Sequence, residues 1–325
     1  MTESLRDIGE FGFIRRIAAG LPPAENVLER IGDDCAVVRV GDNLLLLTCD
    51  AAVEEIHFSF STATPQDIGW RTATAAISDI GAMGGKPLFL TVALAMPAET
   101  PVAVAEALFG GIREAAAAHG LHVAGGDTTK SLTHVFMDIT VIGLAGKRYL
   151  PRHSARPGDL LAVTGSPGRS AGGLVALQLK RAAPPLVRAH LRPQARIAEG
   201  QWLSEQPAVH AMIDVSDGLL QDAGHIAEAS GLGVDIDPAL LPLAEDLAQF
   251  QETLGVEPLD LVLAGGEDYE LAVALAADGH KEVCRQFAAT FSLPLTVVGR
   301  FTDTFKGSRV AGEPYDHTGY DHFRI

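Results

Sequence analysis

The alternation of strand-like and helix-like segments in both halves of the chain predicts a two-domain α/β (or α+β) fold. At 325 residues the chain is long enough to build two separate hydrophobic cores. A basic stretch punctuated by Pro and Gly runs from Lys147 to Asp159, as is typical of a domain boundary. We therefore predict an N-terminal domain over residues 1–148 and a C-terminal domain over residues 149–325.

Helix and strand signals alternate in the N-terminal half. A helix over residues 5–19 is expected to end at Gly20. Thr64-Pro65-Gln66-Asp67 is typical of a helix start, and Gly84-Gly85 is typical of a helix end. The other elements predicted here are a hairpin of strands 36–40 and 44–48, a strand over 88–96, a helix over 101–119, a short strand at 123–124, a Gly-rich turn at 125–129 and a strand over 135–144.

The predicted hairpin brings carboxylates together. Gly41-Asp42-Asn43 joins its two apolar strands and is a strong turn signal. Asp33 and Asp34 come just before the first strand, and Asp50 comes just after the second. Antiparallel pairing of the strands therefore predicts that these three carboxylates lie at the same end of the hairpin.

The C-terminal half repeats the alternation, which predicts a second α/β domain. Its predicted strands cover residues 160–164, 211–215, 234–236, 269–275 and 295–298. Its predicted helices cover residues 174–180 and 194–206 and a segment that follows Ser216-Asp217-Gly218 and ends near Ser230, and a Gly-rich turn is predicted over residues 165–173.

Charge and composition exclude several classes of protein. Asp and Glu outnumber Lys and Arg by 41 to 25, and the formal net charge of −16 argues against sequence-independent binding to nucleic acid or to anionic membranes. The longest apolar stretch, residues 87–98, is too short to span a bilayer, and the first residues lack a secretion signal. The three cysteines have no metal-ligand spacing, so we expect reduced thiols and a cytoplasmic protein.

Asp79 stands out because it lies in a predicted helix that is apolar on most sides. The run from Trp70 to Met83 is rich in Ala and Ile, which predicts a buried helix. A buried carboxylate is costly without a partner, and the helix dipole disfavours negative charge near a helix C-terminus. A bound cation is the simplest partner for Asp79.

Other acidic residues share this setting, since each lies at the end of an apolar element or in a Gly-rich turn. Carboxylate oxygens of this kind suit Mg²⁺, Mn²⁺ or Ca²⁺. Taken singly, each of these residues could instead cap a helix or form an Asx-turn. The full set is Asp33, Asp34, Asp50, Asp79, Asp127, Asp214 and Asp217.

Two Gly-rich segments are candidate phosphate sites. Gly125-Gly126-Asp127-Thr128-Thr129 offers backbone N–H groups followed by hydroxyls, although a tight turn is the simpler interpretation. The segment 165–170 could bind an anion at a helix start, but it lacks the Lys of a Walker A motif. Lys130 and Arg152 are candidate phosphate contacts. The sequence contains no HExxH, CxxC or GxGxxG motif.

The ordered set of motifs resembles the thiamine-monophosphate kinases, which belong to the superfamily of aminoimidazole ribonucleotide synthetase and selenophosphate synthetase. The resemblance spans nearly the whole chain, and its specificity lies in the set rather than in one motif. The matching segments are residues 9–11, Ile31-Gly32-Asp33-Asp34-Cys35-Ala36, Thr48-Cys49-Asp50, His57-Phe58, residues 78–84, Gly125-Gly126-Asp127-Thr128-Thr129, residues 213–218, residues 265–271 and residues 319–323.

The resemblance implies ATP-dependent phosphorylation of thiamine monophosphate to thiamine diphosphate in a cleft between two domains, and a homodimer formed through N-terminal strands. The N-terminal domain would bind ATP and metal, and the C-terminal domain would complete the cleft. The implied Mg²⁺ positions are Asp34, Thr48, Cys49, Asp50, Asp79, Asp127 and Asp214, with Asp217 near a further ion. The implied ATP contacts are Gly126, Asp127, Arg152 and Ser216, and the implied substrate contacts are His57, Glu267 and His317.

Two positions depart from the pattern of the family. Cys49 stands where Ser or Thr is usual, and its thiol is too soft a ligand for Mg²⁺, so only its backbone carbonyl suits the metal. His317 stands where the family usually has an aromatic residue that packs on the substrate.

The resemblance also implies a mechanism without a catalytic base or nucleophile from the protein. The acceptor phosphate has a second pKa of about 6 and is already ionised near neutral pH. Direct in-line transfer assisted by several Mg²⁺ ions is then expected. Two alternatives stay open: another ATP-dependent enzyme of the superfamily, such as a purine-pathway synthetase, and a non-catalytic sensor of nucleotide or metal.

Overall fold

The computed structural model describes residues 3–315 and 322–323. The described residues form two mixed six-stranded sheets, each packed with helices. The predicted two-domain α/β architecture is confirmed. The boundary after residue 148 stays a prediction. No helix within the described residues is both long enough and apolar enough to cross a membrane.

The N-terminal sheet has the strand order β1-β2-β3-β6-β4-β5, and β4 and β5 are parallel. The predicted hairpin forms, with Ala36 opposite Leu47. Its second strand continues to Val53, so Asp50 lies within this strand and not after it. The elements are α1 (Leu5–Gly20), β1 (Val27–Glu29), β2 (Ala36–Val40), β3 (Asn43–Val53), α2 (Pro65–Ala82), β4 (Lys86–Met96), α3 (Val102–Ala118), β5 (His122–Lys130) and β6 (Phe136–Leu144).

The C-terminal sheet has the strand order β12-β9-β11-β7-β10-β8. All five strands predicted in this half are present, whereas α5, α8, α9, α10 and β12 were not predicted. The elements are β7 (Leu160–Thr164), α4 (Arg169–Gln178), α5 (Pro184–Leu191), α6 (Ile197–Ser204), β8 (Val209–Asp214), α7 (Leu219–Ala229), β9 (Gly233–Ile236), α8 (Glu245–Leu254), α9 (Pro258–Ala264), β10 (Leu271–Leu275), α10 (His280–Thr290), β11 (Leu295–Thr302) and β12 (Gly307–Val310).

The Gly-rich turn predicted over residues 125–129 was wrong, and the one predicted over residues 165–173 was right only for residues 165–168. In both segments glycines serve close backbone packing. Residues 125–129 belong to β5, where a Cβ atom at Gly126 would lie 1.9 Å from the carbonyl oxygen of Val92 on β4. Residues 169–173 already belong to α4, where a Cβ atom at Gly173 would lie 2.1 Å from the carbonyl oxygen of Leu186 on α5. A glycine can therefore mark a close approach of backbone rather than a turn.

Helix α2 lies between the two halves of the molecule. Ile77 and Ile80 are fully buried in the N-terminal core. The end of α2 packs on α6, where a Cβ atom at Gly200 would lie 2.1 Å from the carbonyl oxygen of Gly81. This close approach places the last turns of α2, including Asp79, against the C-terminal domain.

Candidate active site

Three carboxylates from distant parts of the chain meet where the two domains join. Asp34 precedes β2, Asp79 lies in the last turns of α2, and Asp214 is the last residue of β8. One oxygen from each of these side chains lies within 4.8 Å of the others. The structure therefore brings predicted metal ligands from both domains into one group, here called the aspartate cluster.

Burial and mutual repulsion raise the pKa values in the aspartate cluster. Asp214 is 2% exposed and Asp34 is 7% exposed. Burial, followed by repulsion from Asp34, raises the pKa of Asp214 to about 8. Burial together with the charges of Asp50, Asp214 and Asp34 raises the pKa of Asp79 well above its ordinary value. The cluster therefore requires protons or a cation to offset its charge.

Strand β3 supplies further oxygen atoms. The hydroxyl of Thr48 donates a hydrogen bond to Asp79. Asp50 follows on the same face of the strand, and burial with the charges of Asp138 and Asp34 raises its pKa to about 6. Cys49 lies between them on the opposite face, and its side chain is exposed. Its thiol points away from the aspartate cluster, which leaves the backbone carbonyl as the donor this residue can offer.

The donor atoms of the aspartate cluster fit a hard divalent cation. The Oδ2 atoms of Asp34 and Asp214 are buried and have no hydrogen-bond partner among the described residues. A buried carboxylate oxygen without a partner is costly, and oxygen ligands are those that Mg²⁺ prefers. These residues can therefore hold Mg²⁺ between the two domains.

Arg152, a predicted ATP contact, lies beside the predicted metal ligands. Its guanidinium pairs with Asp34, and its Nε lies 3.8 Å from Oδ1 of Asp33. Its backbone N–H donates a hydrogen bond of 3.0 Å to Oδ2 of Asp33. Even so, burial and the charge of Asp34 raise the pKa of Asp33 to about 7. One arginine therefore does not neutralise this pair of carboxylates.

A groove of about 640 Å³ lies between α3 and β5. Gly126 and Asp127 line it, together with Phe109 and Arg113 from α3. Asp127 is exposed. In the strand register it lies opposite Ala93 of β4, and Ala93 lies opposite Asp138 of β6. The structure therefore places Asp127 beside the groove and not within the aspartate cluster.

The predicted substrate contacts His57 and Glu267 come together around Arg71. The guanidinium of Arg71 pairs with Glu267 and donates a hydrogen bond of 3.1 Å to the carbonyl oxygen of His57. Burial opposes ionisation of Glu267, yet the charge of Arg71 holds the pKa of Glu267 below its ordinary value. The ring of His57 lies 4.8 Å from that of His322, measured between centroids. His317 lies outside the described residues.

Asp217 belongs to a second group, with donor atoms of Asp222 and His225 within 4.8 Å of one another. Oδ2 of Asp222 accepts hydrogen bonds from the backbone N–H groups of Ser216, Asp217 and Gly218 at 3.0, 3.1 and 3.1 Å. Asp222 therefore shapes the turn that presents Ser216 and Asp217 at the start of α7.

Sequence reasoning did not single out Arg71 or Asp138. Arg71 is a cation in an otherwise apolar stretch of α2, which is the same kind of signal that drew attention to Asp79. Asp138 lies in the apolar strand β6 and raises the pKa of Asp50. In both cases a charge within an apolar element marked a residue near the site.

Comparisons with known proteins agree with this architecture. The family described as AIR synthase related protein matches through its N-terminal domain over residues 32–145 and its C-terminal domain over residues 156–311. A thiamine-monophosphate kinase of Mycobacterium tuberculosis is 40% identical over 276 residues, which cover 83% of this chain and 82% of that protein. The chain belongs to the thiamine-monophosphate kinase family. The Escherichia coli K12 member is 34% identical over 327 residues, which cover 97% of this chain and 98% of that protein.

Solved structures of thiamine-monophosphate kinases share the whole fold. The structure of AaThiL complexed with AMPPCP and TMP has a TM-score of 0.89 and 32% identity, with 99% of both chains covered. The enzyme of Stenotrophomonas maltophilia K279a has a TM-score of 0.76 and 35% identity, with 93% of this chain and 96% of that chain covered. Escherichia coli HypE, at 19% identity and a TM-score of 0.65, shows the fold alone. The predicted family and its two-domain fold are confirmed.

Proposed function

We propose that this protein transfers the γ-phosphoryl group of ATP to the phosphate of thiamine monophosphate, which gives thiamine diphosphate and ADP. The observation that carries the proposal is the aspartate cluster, in which Asp34 and Asp79 of the N-terminal domain meet Asp214 of the C-terminal domain. The relatives named thiamine-monophosphate kinase, and the related AaThiL bound to AMPPCP and TMP, support the choice of substrates. Use of ATP fits the predicted cytoplasmic location.

Mg²⁺ ions at the aspartate cluster would offset the repulsion between the negative charges of the two substrates and the protein. A nucleoside triphosphate and a phosphate monoester together bring on the order of six negative charges, and the cluster adds its own. Asp34, Asp79 and Asp214 would hold Mg²⁺, with Thr48, the backbone carbonyl of Cys49 and Asp50 on β3 as nearby donors. Asp127 and Asp217 would serve ions farther from this centre. Bound Mg²⁺ would neutralise the charge on the phosphoryl oxygens.

The residues of the chain bind and orient the two phosphates. The acceptor oxygen is already ionised near neutral pH, so it needs no general base. We therefore propose direct in-line transfer without a phosphorylated protein. A phosphorylated form of the protein that appears and decays during a single turnover would contradict this step.

The groove between α3 and β5 would receive the adenosine of ATP. Gly126 and Asp127 line this groove, and Phe109 and Arg113 offer an aromatic and a cationic side chain from α3. The guanidinium of Arg152 and the turn at Ser216 would contact the phosphates, because both lie next to residues of the two acidic groups. His57, Glu267 and His317 would contact the acceptor.

The outward face of the N-terminal sheet would form a homodimer interface. Leu47 and Phe136 stay 39% and 37% exposed there, and Ile142 is half-buried beside Leu47. Exposed apolar patches on a sheet commonly mark an interface. Leu47→Glu is expected to convert a dimer into monomers in analytical ultracentrifugation, whereas the exposed Leu132→Glu, outside the strands, is the matched control. A wild-type protein that sediments as a monomer contradicts the dimer.

One assay tests the proposed reaction. Purified protein is incubated with ATP, excess Mg²⁺ and thiamine monophosphate, and thiamine diphosphate and ADP are followed in time. Free thiamine and aminoimidazole precursors replace the acceptor as controls. Formation of thiamine diphosphate only with thiamine monophosphate and Mg²⁺ is the expected result. Turnover of an aminoimidazole precursor instead would favour a purine-pathway synthetase, and binding of ATP without turnover of any acceptor would favour a sensor.

A further inference from the structure

Arg71 is a buried cation whose guanidinium contacts Glu267 and the backbone of His57, the two proposed acceptor contacts. It lies two turns before Asp79 on α2, about 12 Å along the helix axis. We propose that Arg71 is a positioning residue that determines how well the acceptor binds, by holding Glu267 and the His57 segment in place. This inference rests on the proposed function, since it assumes that Glu267 and His57 contact thiamine monophosphate.

The backbone around Glu267 is held by the C-terminal domain in an unusual conformation. Glu267 has a φ of 57°, in the left-handed region that non-glycine residues rarely adopt. Its N–H donates a hydrogen bond of 2.8 Å to the carbonyl oxygen of Ser216, and the N–H of Tyr269 donates one of 2.9 Å to that of Val215. This backbone aims the Glu267 side chain across the domain junction at Arg71.

The side chains of Arg71 and Glu267 differ in how far a ligand can reach them. The side chain of Arg71 is 11% exposed, whereas that of Glu267 is 33% exposed. A ligand can therefore reach the carboxylate but hardly reaches the guanidinium. Arg71 therefore acts on the acceptor through Glu267, whose carboxylate stays partly exposed beside the ion pair.

A single guanidinium joins two segments that the acceptor would touch. Besides its ion pair with Glu267, Arg71 donates a hydrogen bond of 3.1 Å to the carbonyl oxygen of His57. The imidazole of His57 lies against that of His322. An ionised carboxylate beside two flat rings suits a planar, cationic or N–H-bearing group, which thiamine has in its thiazolium and aminopyrimidine. Loss of Arg71 would disorder this arrangement without touching the aspartate cluster.

Arg192 provides a matched control, because it makes a similar contact between the domains at another place. Its Nε lies 2.5 Å from Oδ1 of Asp67, and its Nη1 lies 3.0 Å from Oε2 of Glu114. Arg192 follows α5 and pairs with the start of α2 and with α3, and it contacts neither His57 nor Glu267. A merely structural role for Arg71 predicts that Arg71→Met and Arg192→Met behave alike.

The test compares the kinetics of Arg71→Met, Arg71→Lys, Glu267→Gln, Arg192→Met and the double variant Arg71→Met/Glu267→Gln. The KM for thiamine monophosphate is expected to rise about tenfold or more in Arg71→Met, while the KM for ATP stays within about twofold. Arg71→Lys is expected to fall between wild type and Arg71→Met, because an ammonium keeps the charge but loses the planar fork. The double variant is expected to be no worse than Glu267→Gln, because Arg71 acts through Glu267.

Several outcomes would overturn the inference. The inference is wrong if Arg71→Met and Arg192→Met change the KM for thiamine monophosphate equally. It is also wrong if Arg71→Met raises the KM for both substrates equally, or if the effects of Arg71→Met and Glu267→Gln multiply in the double variant. If Arg71→Met does not fold, the KM split in Arg71→Lys decides, and an unchanged KM for thiamine monophosphate contradicts the inference. A wild-type protein that makes no thiamine diphosphate contradicts the proposed function instead, so the two failures are distinguishable.

Discussion

The guanidinium of Arg152 pairs with the carboxylate of Asp34, so a proposed nucleotide contact and a proposed metal ligand neutralise each other. The side chain of Asp34 is 1% exposed and that of Arg152 is 20% exposed. A metal ion at Asp34 and a phosphate at Arg152 would each replace one partner of this pair. Binding of Mg²⁺ and binding of ATP should therefore favour each other.

Arg152→Met should lower the stability of the metal-free protein. The substitution leaves Asp34 and Asp33 buried without their cation, and breaking a buried pair in this way costs about 3–5 kcal/mol. Excess Mg²⁺ should recover part of the loss, because it offsets the same charges. Urea unfolding with EDTA and with Mg²⁺ measures both effects. Equal losses in the two conditions would show that Mg²⁺ does not bind at Asp34.

Asp79→Asn should abolish most activity without lowering the stability of the metal-free protein. The change removes a metal ligand, but it also removes a buried carboxyl group whose ionisation is opposed by burial and by the neighbouring carboxylates. We expect kcat to fall by at least about a hundredfold at saturating Mg²⁺ and the melting temperature in EDTA to stay equal or rise. Near-normal activity with normal dependence on Mg²⁺ would make Asp79 a structural carboxylate only.

The metal-free protein should lose stability as the pH rises through neutrality. Burial raises the pKa of Asp214 to about 8 and that of Asp33 to about 7, from an ordinary value of 3.8. The folded protein then holds these protons more tightly than the unfolded chain, so the stabilisation present below about pH 4 is lost as the pH passes 7 and 8. Melting temperatures in EDTA should fall from about pH 5 to about pH 8 and level off above pH 8.

Mg²⁺ should counteract this loss, and its effect should grow with pH. Protons and Mg²⁺ compete for the same carboxylate oxygens, so the gain in melting temperature on adding Mg²⁺ should be small near pH 6 and large near pH 9. Ca²⁺ provides a second hard cation for comparison. A melting temperature in EDTA that rises over this range would contradict the assignment of the buried carboxylates.

The sequence predicted those helices and strands whose start, end or turn residues are recognisable within the segment itself. Helix α2 was predicted because Thr64-Pro65 starts it and Gly84-Gly85 ends it, and the hairpin was predicted from its turn residues and apolar strands. Asp79 was singled out because a carboxylate in an apolar helix needs a partner. The residues that supply its surroundings, Asp34 and Asp214, were found by the same argument and meet it in the structure.

Contacts between distant segments could not be predicted in this way. Residues 125–129 form a strand because β4 offers a parallel partner, and nothing within the segment itself shows that partner. Arg71 meets Glu267 across 196 positions of sequence. The short strand β12 has four residues, of which only Val310 is buried, so its sequence carries a weak periodic signal.

Gly126→Ala should weaken ATP binding and stability together, whereas Gly125→Ala should leave stability unchanged. A Cβ atom at position 126 would lie 1.9 Å from the carbonyl oxygen of Val92, so β5 must move away from β4 and distort the groove that both strands line. Such overpacking costs about 1–3 kcal/mol, and we expect the KM for ATP to rise about tenfold with little change in the KM for thiamine monophosphate. A Cβ atom at Gly125 would meet no atom within 4 Å, which makes this neighbour the matched control. Urea unfolding and the two KM values measure the result, and an unchanged KM for ATP in a destabilised Gly126→Ala protein would exclude a nucleotide site at this groove.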